Sequence, residues 1–443
     1  MKIPYPNYID NLIRKFYDNK FKAYIVGGSI RNILLGITPN DWDICTNALP
    51  NEIIEIFSES YKIIPIGIEH GTVTILVDGE SIEVTTFRLD SEYSDGRRPN
   101  RVEFIGDIKG DLSRRDFTVN ALAYNHKEGL IDYFNGVQDI KNKIIKTVGD
   151  PLKRFDEDYL RMLRCIRFST QLGFEIEDST YNGILKIAEK IVNISPERIR
   201  EELNKILLSS NPVKGISLLE SAGLLKYIIP ELDECVGFLQ YNPNHDKDVF
   251  GHTLDVLSCT KSNLYLRLAA LFHDIGKPKC FSRDENGIGH FYNHHVFSAE
   301  IAGEVLKRLR YDNNTIEIVT NLVKEHMVQY DNYSDRAIKR IINRIGAENV
   351  DLLFDLKIAD RKNKDIDEII DIRKRCKEIL NRKEPLSIRD LEINGNDLIE
   401  LGIKPGKEIG TILNYLLDRV LMDPTLNKRE VLLEIYCGQK KRT

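Results

Sequence analysis

Two carboxylates two residues apart, Asp41 and Asp43, follow a glycine-rich stretch, Gly27-Gly28-Ser29-Ile30-Arg31. On a strand, positions i and i+2 share a face. A pair of carboxylates on one face suits Mg²⁺, a hard cation that takes oxygen ligands and shares them with substrate phosphates. The glycines allow a backbone to approach a ligand closely. A helix start offers free N–H groups to an anion; Ser29 adds a hydroxyl and Arg31 a cation. Neither half is specific alone, because Asp-x-Asp recurs at Asp156–Asp158, Asp246–Asp248 and Asp365–Asp367. Together they describe nucleotide-transfer chemistry. Glu83 alternates with Ile82 and Val84. It is either a third carboxylate brought in by a neighbouring strand or an outward, solvated side chain.

Three further sets of residues carry chemistry. Arg97, Arg98 and Arg101 close a polar segment, Asp90 to Asn100, that reads as a loop: a solvated stretch, or a flap near triphosphate or RNA. Arg114-Arg115-Asp116, with Asn120 one turn on, opens an apolar run expected to be helical. Its arginines can pair phosphate, and Asp116 and Asn120 can bond ribose hydroxyls. Downstream, Asp158 and Arg161 are three apart, expected on one face of a helix that continues through Arg164 and Arg167. A carboxylate accepts from an exocyclic amine while arginine donates to ring acceptors, so such a pair can read a base edge. The alternative for that pair is an exposed ion pair worth little.

The elements that must position these groups follow from pattern. Ile9, Leu12, Ile13 and Phe16 recur at helical spacing over residues 1–22. Ala23–Val26 reads as a strand entering the glycine turn, and Pro50–Phe57 as a helix. Gly71–Val77 and Ser81–Phe87 read as strands joined by an Asp78-Gly79 hairpin signal, and Leu130–Gly136 as a strand ending in a turn. From Asp150-Pro151 onward the chain reads as helix almost throughout; Ser195 is a cap with Pro196 at the first helical position. The 443 residues suggest several domains. A net charge of −5 excludes a generally basic nucleic-acid binder, so a polyanion must meet a local patch. Seven scattered cysteines without Cys-x-x-Cys fit reduced intracellular thiols. No apolar run approaches a membrane span of roughly 18 residues and no signal-peptide pattern is present. The expected compartment is the cytoplasm, with no membrane partner; the oligomeric state is not legible.

GGSIRNILLG…DWD, RRDFTVNALA, LIDYFNG, EDYLRMLRCIRF and ISPERIREEL stand in an order and spacing that resembles the bacterial class II tRNA nucleotidyltransferases, the CCA-adding enzymes and their poly(A) polymerase relatives. The resemblance is strongest over residues 20–210. Asn32 departs from it, where the family often has Asp. The resemblance implies that Asp41 and Asp43 hold catalytic Mg²⁺. It also implies that Gly27, Gly28, Ser29 and Arg31 meet the triphosphate, and that Arg115, Asp116 and Asn120 lie near ribose and triphosphate. Asp158 and Arg161 would select cytosine, then adenine. tRNA, CTP and ATP are the implied partners. The expected alternatives are a poly(A) polymerase or an enzyme adding only CC or only A.

His252, His273-Asp274, His294, His326 and Asp360 stand in the second half, where six of the nine histidines fall between His252 and His326. Imidazoles with carboxylates suit a divalent transition metal or Mg²⁺. The spacing resembles the HD metal-phosphohydrolase superfamily, with His294 fitting better than His295, and His290 and His295 as bystanders. A front half serving only to bind RNA for such a hydrolase is the reading of another class. The expected fold class is α+β: a nucleotidyltransferase palm of mixed sheet and helices at 1–148, then an all-α remainder. That remainder divides into a neck at 149–229, an HD domain at 230–365 and a tRNA-binding tail at 366–443.

Overall fold

The computed structural model describes residues 3–65, 67–93, 99–241, 247–327, 334–361 and 366–440. The chain divides into two compact units, Met1–Pro230 and Glu231–Thr443.

The first unit opens with α1 (Asn7–Asp18), whose buried face is Ile9, Leu12, Ile13 and Phe16, as its periodicity predicts. Then come β1 (Ala23–Val26), α2 (Gly28–Leu34), β2 (Asp43–Thr46), α3 (Pro50–Phe57), β3 (Lys62–Ile64), β4 (Thr72–Val77) and β5 (Glu80–Thr86). Asp78 and Gly79 both take positive φ in the β4–β5 turn, the conformation a two-residue hairpin needs. A ribbon of β6 (Arg88–Tyr93) and β7 (Pro99–Phe104) follows, then α4 (Ile108–Ser113), β8 (Ala123–Asn125), β9 (Gly129–Ile131) and α5 (Gly136–Asn142). The seven-stranded sheet runs β3-β4-β5-β2-β1-β8-β9. β1 lies antiparallel to both β2 and β8, while β2 and β5 are parallel. Tyr24, Val26, Cys45 and Phe87 pack with Ile108, Leu112 and Ala123 into a core beneath the sheet's centre.

A short bridge of β10 (Ile144–Ile145) to β11 (Glu175–Ile176) brackets α6 (Pro151–Glu157) and α7 (Leu160–Leu172). Helices α8 (Asp178–Ile187), α9 (Pro196–Leu207), α10 (Pro212–Ser221) and α11 (Leu225–Ile228) complete this unit.

Three expectations are corrected here. Asp90 to Asn100 is not a loop at its ends: Asp90–Tyr93 and Pro99–Asn100 belong to β6 and β7, which pair in register from Arg88↔Phe104 to Tyr93↔Pro99, and residues 94–98 lie outside the described residues. The run after Asp116 is not a helix; one 3₁₀ turn, Thr118–Asn120, leads into β8. Phe117, Val119, Ala121, Leu122 and Ala123 are all fully buried, and a segment buried on every side shows no diagnostic period. Third, α6 ends at Glu157. Asp158 takes an extended conformation (φ −150°, ψ 105°) before α7 starts at Leu160, so Asp158 and Arg161 do not share a helix face.

The second unit is helical. After α12 (Pro230–Asp233) come α13 (Val249–Ser258), α14 (Leu264–Phe272), the hairpin β12 (Phe281–Arg283) and β13 (Gly289–Phe291), α15 (His294–Arg308) and α16 (Asn313–Glu325). α17 (Asp335–Ile345), α18 (Val350–Asp360), α19 (Asp367–Asn381), α20 (Gly395–Glu400), α21 (Lys407–Met422) and α22 (Arg429–Lys440) follow. Its last helices share a separate core centred on Leu398, Leu416, Val420 and Leu432. Among the described residues, no helix is long and apolar enough to cross a membrane.

Candidate active site and metal centre

In the first unit the glycine turn ends β1. Gly27 takes φ 76°, which favours glycine, and a Cβ there would stand 2.8 Å from Arg115 Nη1 and push that guanidinium aside. Arg31, buried on α2, donates to Asn120 Oδ1 at 2.5 Å and forks onto Asn32 Oδ1 at 3.2 and 2.9 Å. Asn32, the departure from the family pattern, is therefore a clamp on Arg31. Ser29 does not face outward as its position suggests: it is buried and its hydroxyl donates to Val26 O at 3.2 Å.

Asp43 sits at the start of β2 and Asp41 just before it. Parallel pairing of β2 with β5 puts Glu83 directly beside Asp43 in register. Burial pushes the Asp43 carboxyl up to about 6; Arg115 opposes this, while Asp41 and Glu83 add to it. Crowded, partly desolvated carboxylate oxygens are a donor set that a hard divalent cation relieves, and these residues fit one. Asp116 accepts from Arg164 Nε at 2.8 Å and from Asn120 Nδ2 at 3.1 Å. Burial would raise the Asp116 carboxyl, but Arg164, Asn120 and Arg161 outweigh it and hold it well below the usual carboxylate range.

A cavity of about 580 Å³ collects these groups: Gly27, Gly28, Arg31, Asp41, Asp43, Arg115, Asp116 and Asn120 on one side, Asp158, Arg161, Arg164 and Arg167 on the other. Asp158 and Arg161 thus meet at the cavity without pairing with each other. Arg161 bonds Glu157 and the carbonyls of Arg154 (2.9 Å) and Arg114 (3.2 Å). Asp158 instead pairs with Arg198 of α9. Arg167 is drawn away to Glu202 and Gln171. Sequence reasoning assigned no role to Arg198 or Glu157. The available signal for Arg198 was a cation in the first turn of a helix, where the macrodipole disfavours it. Of the expected flap arginines, Arg97 and Arg98 lie outside the described residues and Arg101 falls on β7.

In the second unit, four histidines converge. His252 comes from α13, His273-Asp274 from the end of α14, His294 from the start of α15 and His326 from the end of α16; Asp360 ends α18. Gly276 makes this possible: a Cβ there would lie 2.5 Å from Ser298 N and 2.9 Å from His294 O, so only glycine lets the two chain segments touch. His252 Nε2 stands 3.0 Å from Asp360 Oδ1 and 3.5 Å from Asp274 Oδ2. His273, His294 and His326 approach Asp274 at 3.3, 3.2 and 3.9 Å. Their Nδ1 atoms bond the carbonyls of Ala270, Phe291 and Val323 at 2.8, 2.9 and 2.6 Å. That leaves each Nε2 buried, aimed inward and without a hydrogen bond among the described residues. Backbone-oriented imidazoles with inward Nε2 atoms are the arrangement of metal ligands. Two sets lie within ligating reach of a common point: His252, His273 and Asp274, and Asp274, His294 and His326. Burial and His273 push His326 down to about 3, whereas Asp274 and Asp360, against burial, push His273 up to about 10; a bound cation would take the place of that proton. A cavity of about 350 Å³ opens onto the cluster and is also lined by Lys277 and His290. His290, expected as a bystander, is therefore at the rim, bonded to Asp284 at 3.0 Å. Lys277, assigned no role from sequence, reaches Asp274 at 2.6 Å and Gln240 at 2.8 Å.

Three family profiles match the chain: the poly A polymerase head domain over residues 23–146, a probable RNA- and SrmB-binding site of polymerase A over 173–236, and a putative tRNA nucleotidyltransferase domain 2 over 285–436. Among curated relatives, the CCA-adding enzyme of Ligilactobacillus salivarius is 32% identical over 436 residues, covering 96% of this chain and 94% of that protein. That of Lactobacillus helveticus is 34% identical, covering 93% and 91%. Among solved structures, the Bacillus stearothermophilus CCA-adding enzyme in complex with CTP superposes with a TM-score of 0.71 at 25% identity, covering 99% of this chain and all of that one. The Thermotoga maritima CCA-adding enzyme complexed with tRNA shares the fold at a TM-score of 0.54 and 24% identity, covering 99% and 97%.

Proposed function

This chain belongs to the family of CCA-adding enzymes, and from that membership we propose that it adds C, C and A to the 3′ end of tRNA, using CTP and ATP without a nucleic-acid template. The observation that carries this reading is the single cavity into which the carboxylate pair, the glycine turn and Asp158 with Arg161 all open. The tRNA 3′-hydroxyl attacks the α-phosphate; a new P–O bond forms and the bond to the β-phosphate oxygen breaks, releasing pyrophosphate. Asp41 and Asp43, with Glu83 beside them, would hold Mg²⁺, which polarises the α-phosphate and steadies the leaving group. The turn at Gly27-Gly28 lets the chain pass close to the triphosphate, and Arg31, fixed by Asn32 and Asn120, faces its charge. Arg115 serves the triphosphate, and Asp116 and Asn120 the ribose. Asp158 and Arg161 present an acceptor beside a donor. Cytosine and adenine offer the complementary donor and acceptor; uracil and guanine offer the reverse.

The test is to incubate the protein with tRNA lacking its 3′ end, with each NTP singly and together, and to size the products. Three added nucleotides requiring both CTP and ATP are expected. Runs of A without CTP use would make it a poly(A) polymerase, and stopping after CC or adding only A would make it a partial enzyme.

A second reading applies to the second unit and rests on the inward Nε2 atoms. It is a metal-dependent phosphohydrolase, with His252, His273, Asp274, His294, His326 and Asp360 holding a divalent transition ion or Mg²⁺. When bound, the ion acidifies water for attack on phosphorus. Phosphomonoesters and 2′,3′-cyclic phosphates, which arise at damaged RNA ends, are the substrates. Hydrolysis assays with Mn²⁺, Ni²⁺ and Mg²⁺ test it; neither turnover nor binding with any of the three ions would reduce the cluster to a scaffold.

A further inference from the structure

The cavity of about 350 Å³ at the histidine–aspartate cluster is far larger than a phosphate group, so its walls bear on what else a substrate carries. Two wall residues outside the cluster offer flat or soft surface: His290 from β13, and Met327, which follows His326 and is partly exposed. The hairpin that carries His290 is pinned in place. Gly289 N donates to Tyr241 O at 2.8 Å, and a Cβ on Gly289 would stand 2.1 Å from Gln240 O. Phe281 packs on Phe238 and Phe291, with ring centroids 5.4 and 5.5 Å away. From this fixed wall the rings of His290 and Tyr292 stack, 9° from parallel with centroids 5.4 Å apart. The bond between His290 Nε2 and Asp284 Oδ2 holds the imidazole plane. Tyr292 itself is 69% exposed. A lone exposed tyrosine is ordinary on a protein surface. This one continues a stack that begins at the cavity wall.

We propose that the His290–Tyr292 stack is a nucleobase subsite, so that the second unit takes phosphate esters that carry a base. The base lies on the rim stack while its phosphate enters the cavity. Tyr292 and the cluster residue His294 are two residues apart, hence separated by at most about 7 Å of chain. A ribose between base and phosphate bridges a gap of that order. Every base has a π face, so stacking on aromatic rings is tolerant of sequence. The subsite therefore favours a base over none and does not choose among bases. Opening a 2′,3′-cyclic phosphate there adds one water. A P–O bond forms to the water oxygen, one ribose P–O bond breaks, and the freed ribose oxygen takes the proton.

This inference rests on the phosphohydrolase reading of the same cluster, and the experiment separates the two. The full chain with Mn²⁺ is given 2-aminopurine riboside 2′,3′-cyclic phosphate and, in parallel, methyl riboside 2,3-cyclic phosphate, the same ester without a base. Turnover gives kcat/KM for each; quenching of 2-aminopurine fluorescence, which reports stacking, gives binding without turnover. Wild-type protein is expected to prefer the base-bearing ester about tenfold. Tyr292→Ala should lose most of that preference and of the quench at an unchanged thermal midpoint, and Tyr292→Phe should keep both, since the ring is what stacks. Equal kcat/KM for the two esters in the wild type, or the same preference in Tyr292→Ala, would overturn the subsite and leave the hydrolase standing. A quench that needs Tyr292, without turnover of either ester, would keep the subsite as a binding site and overturn the hydrolase. Neither turnover nor quench would overturn both. A tRNA ending in a 2′,3′-cyclic phosphate forms the second arm: its kcat/KM exceeds the mononucleotide's where strand ends are the source and falls below it where free nucleotides are. Either result, with the loss in Tyr292→Ala, supports the subsite.

Discussion

Asp43 and Asp116 lie in the same cavity, and opposite balances of charge act on them. Asp43 is crowded by Asp41 and Glu83, so its environment calls for a cation. Losing a ligand there removes several kcal/mol of transition-state stabilisation, on the order of a thousandfold in rate or more. Asp41→Ala and Asp43→Ala are therefore expected to abolish nucleotide addition while tRNA binding, measured by gel shift, stays largely intact. Near-normal incorporation by both at saturating Mg²⁺ would refute the assignment. Asp116 is already supplied with cations, and its carboxyl is depressed on folding. A depressed carboxyl contributes stability that is complete above the unfolded value of about 3.9. That contribution is lost as pH falls below this value toward the folded one. Asp116→Asn should cost on the order of 2 kcal/mol at neutral pH, discounted because the Arg164 side chain is 34% exposed. Between pH 4 and 2.5 its thermal midpoint should fall less steeply than that of the wild type; parallel curves would count against the coupling.

At the scale of elements, close backbone approach decides whether distant groups meet. Gly276 allows the end of α14 to touch α15, which brings His273-Asp274 to His294. In Gly276→Ala the added methyl meets backbone atoms, which cannot swing aside, and overpacking of this kind costs about 1–3 kcal/mol. The expected result is a lower melting temperature together with loss of metal binding, read by isothermal titration with Mn²⁺. Gly27 differs. Its positive φ makes Gly27→Ala costly by about 1–3 kcal/mol, and the methyl's neighbour is the mobile end of Arg115. Steady-state kinetics should show a raised KM for nucleotide as Arg115 is displaced; an unchanged KM would argue that Arg115 does not touch the triphosphate.

On the whole-molecule scale, the two proposed chemistries fall in different compact units, each with its own core. His273→Ala with Asp274→Ala should abolish metal-dependent phosphate release and leave CCA addition within about twofold, because neither residue lies in the transferase cavity. Asp41→Ala should give the converse. Concerted loss of both activities in either variant, with folding intact, would refute their independence.

Short-range physics was legible in the chain itself. The buried stripe of α1, the Asp78-Gly79 turn, the strand-to-helix glycine turn and the helix start at Pro196 each depend on neighbours a few residues away, and each stands in the structure. Motif spacing likewise named Asp41, Asp43, Asp116, Asn120, Asp158 and Arg161, all of which reach the one cavity. What the sequence left open was which group each side chain answers to. Whether Glu83 joins Asp43 depended on β5 lying parallel to β2 in that register. Ser29, on α2, turned inward because the carbonyl of Val26 at the end of the preceding strand accepts its hydroxyl. Asp158 found its partner 40 residues on, in Arg198, and His252 found Asp360 across 108. Pattern along a chain encodes which face is buried, since burial follows the local period. The choice among several charged groups of the right sign is made by packing, because only the assembled core sets which of them lie within hydrogen-bond reach.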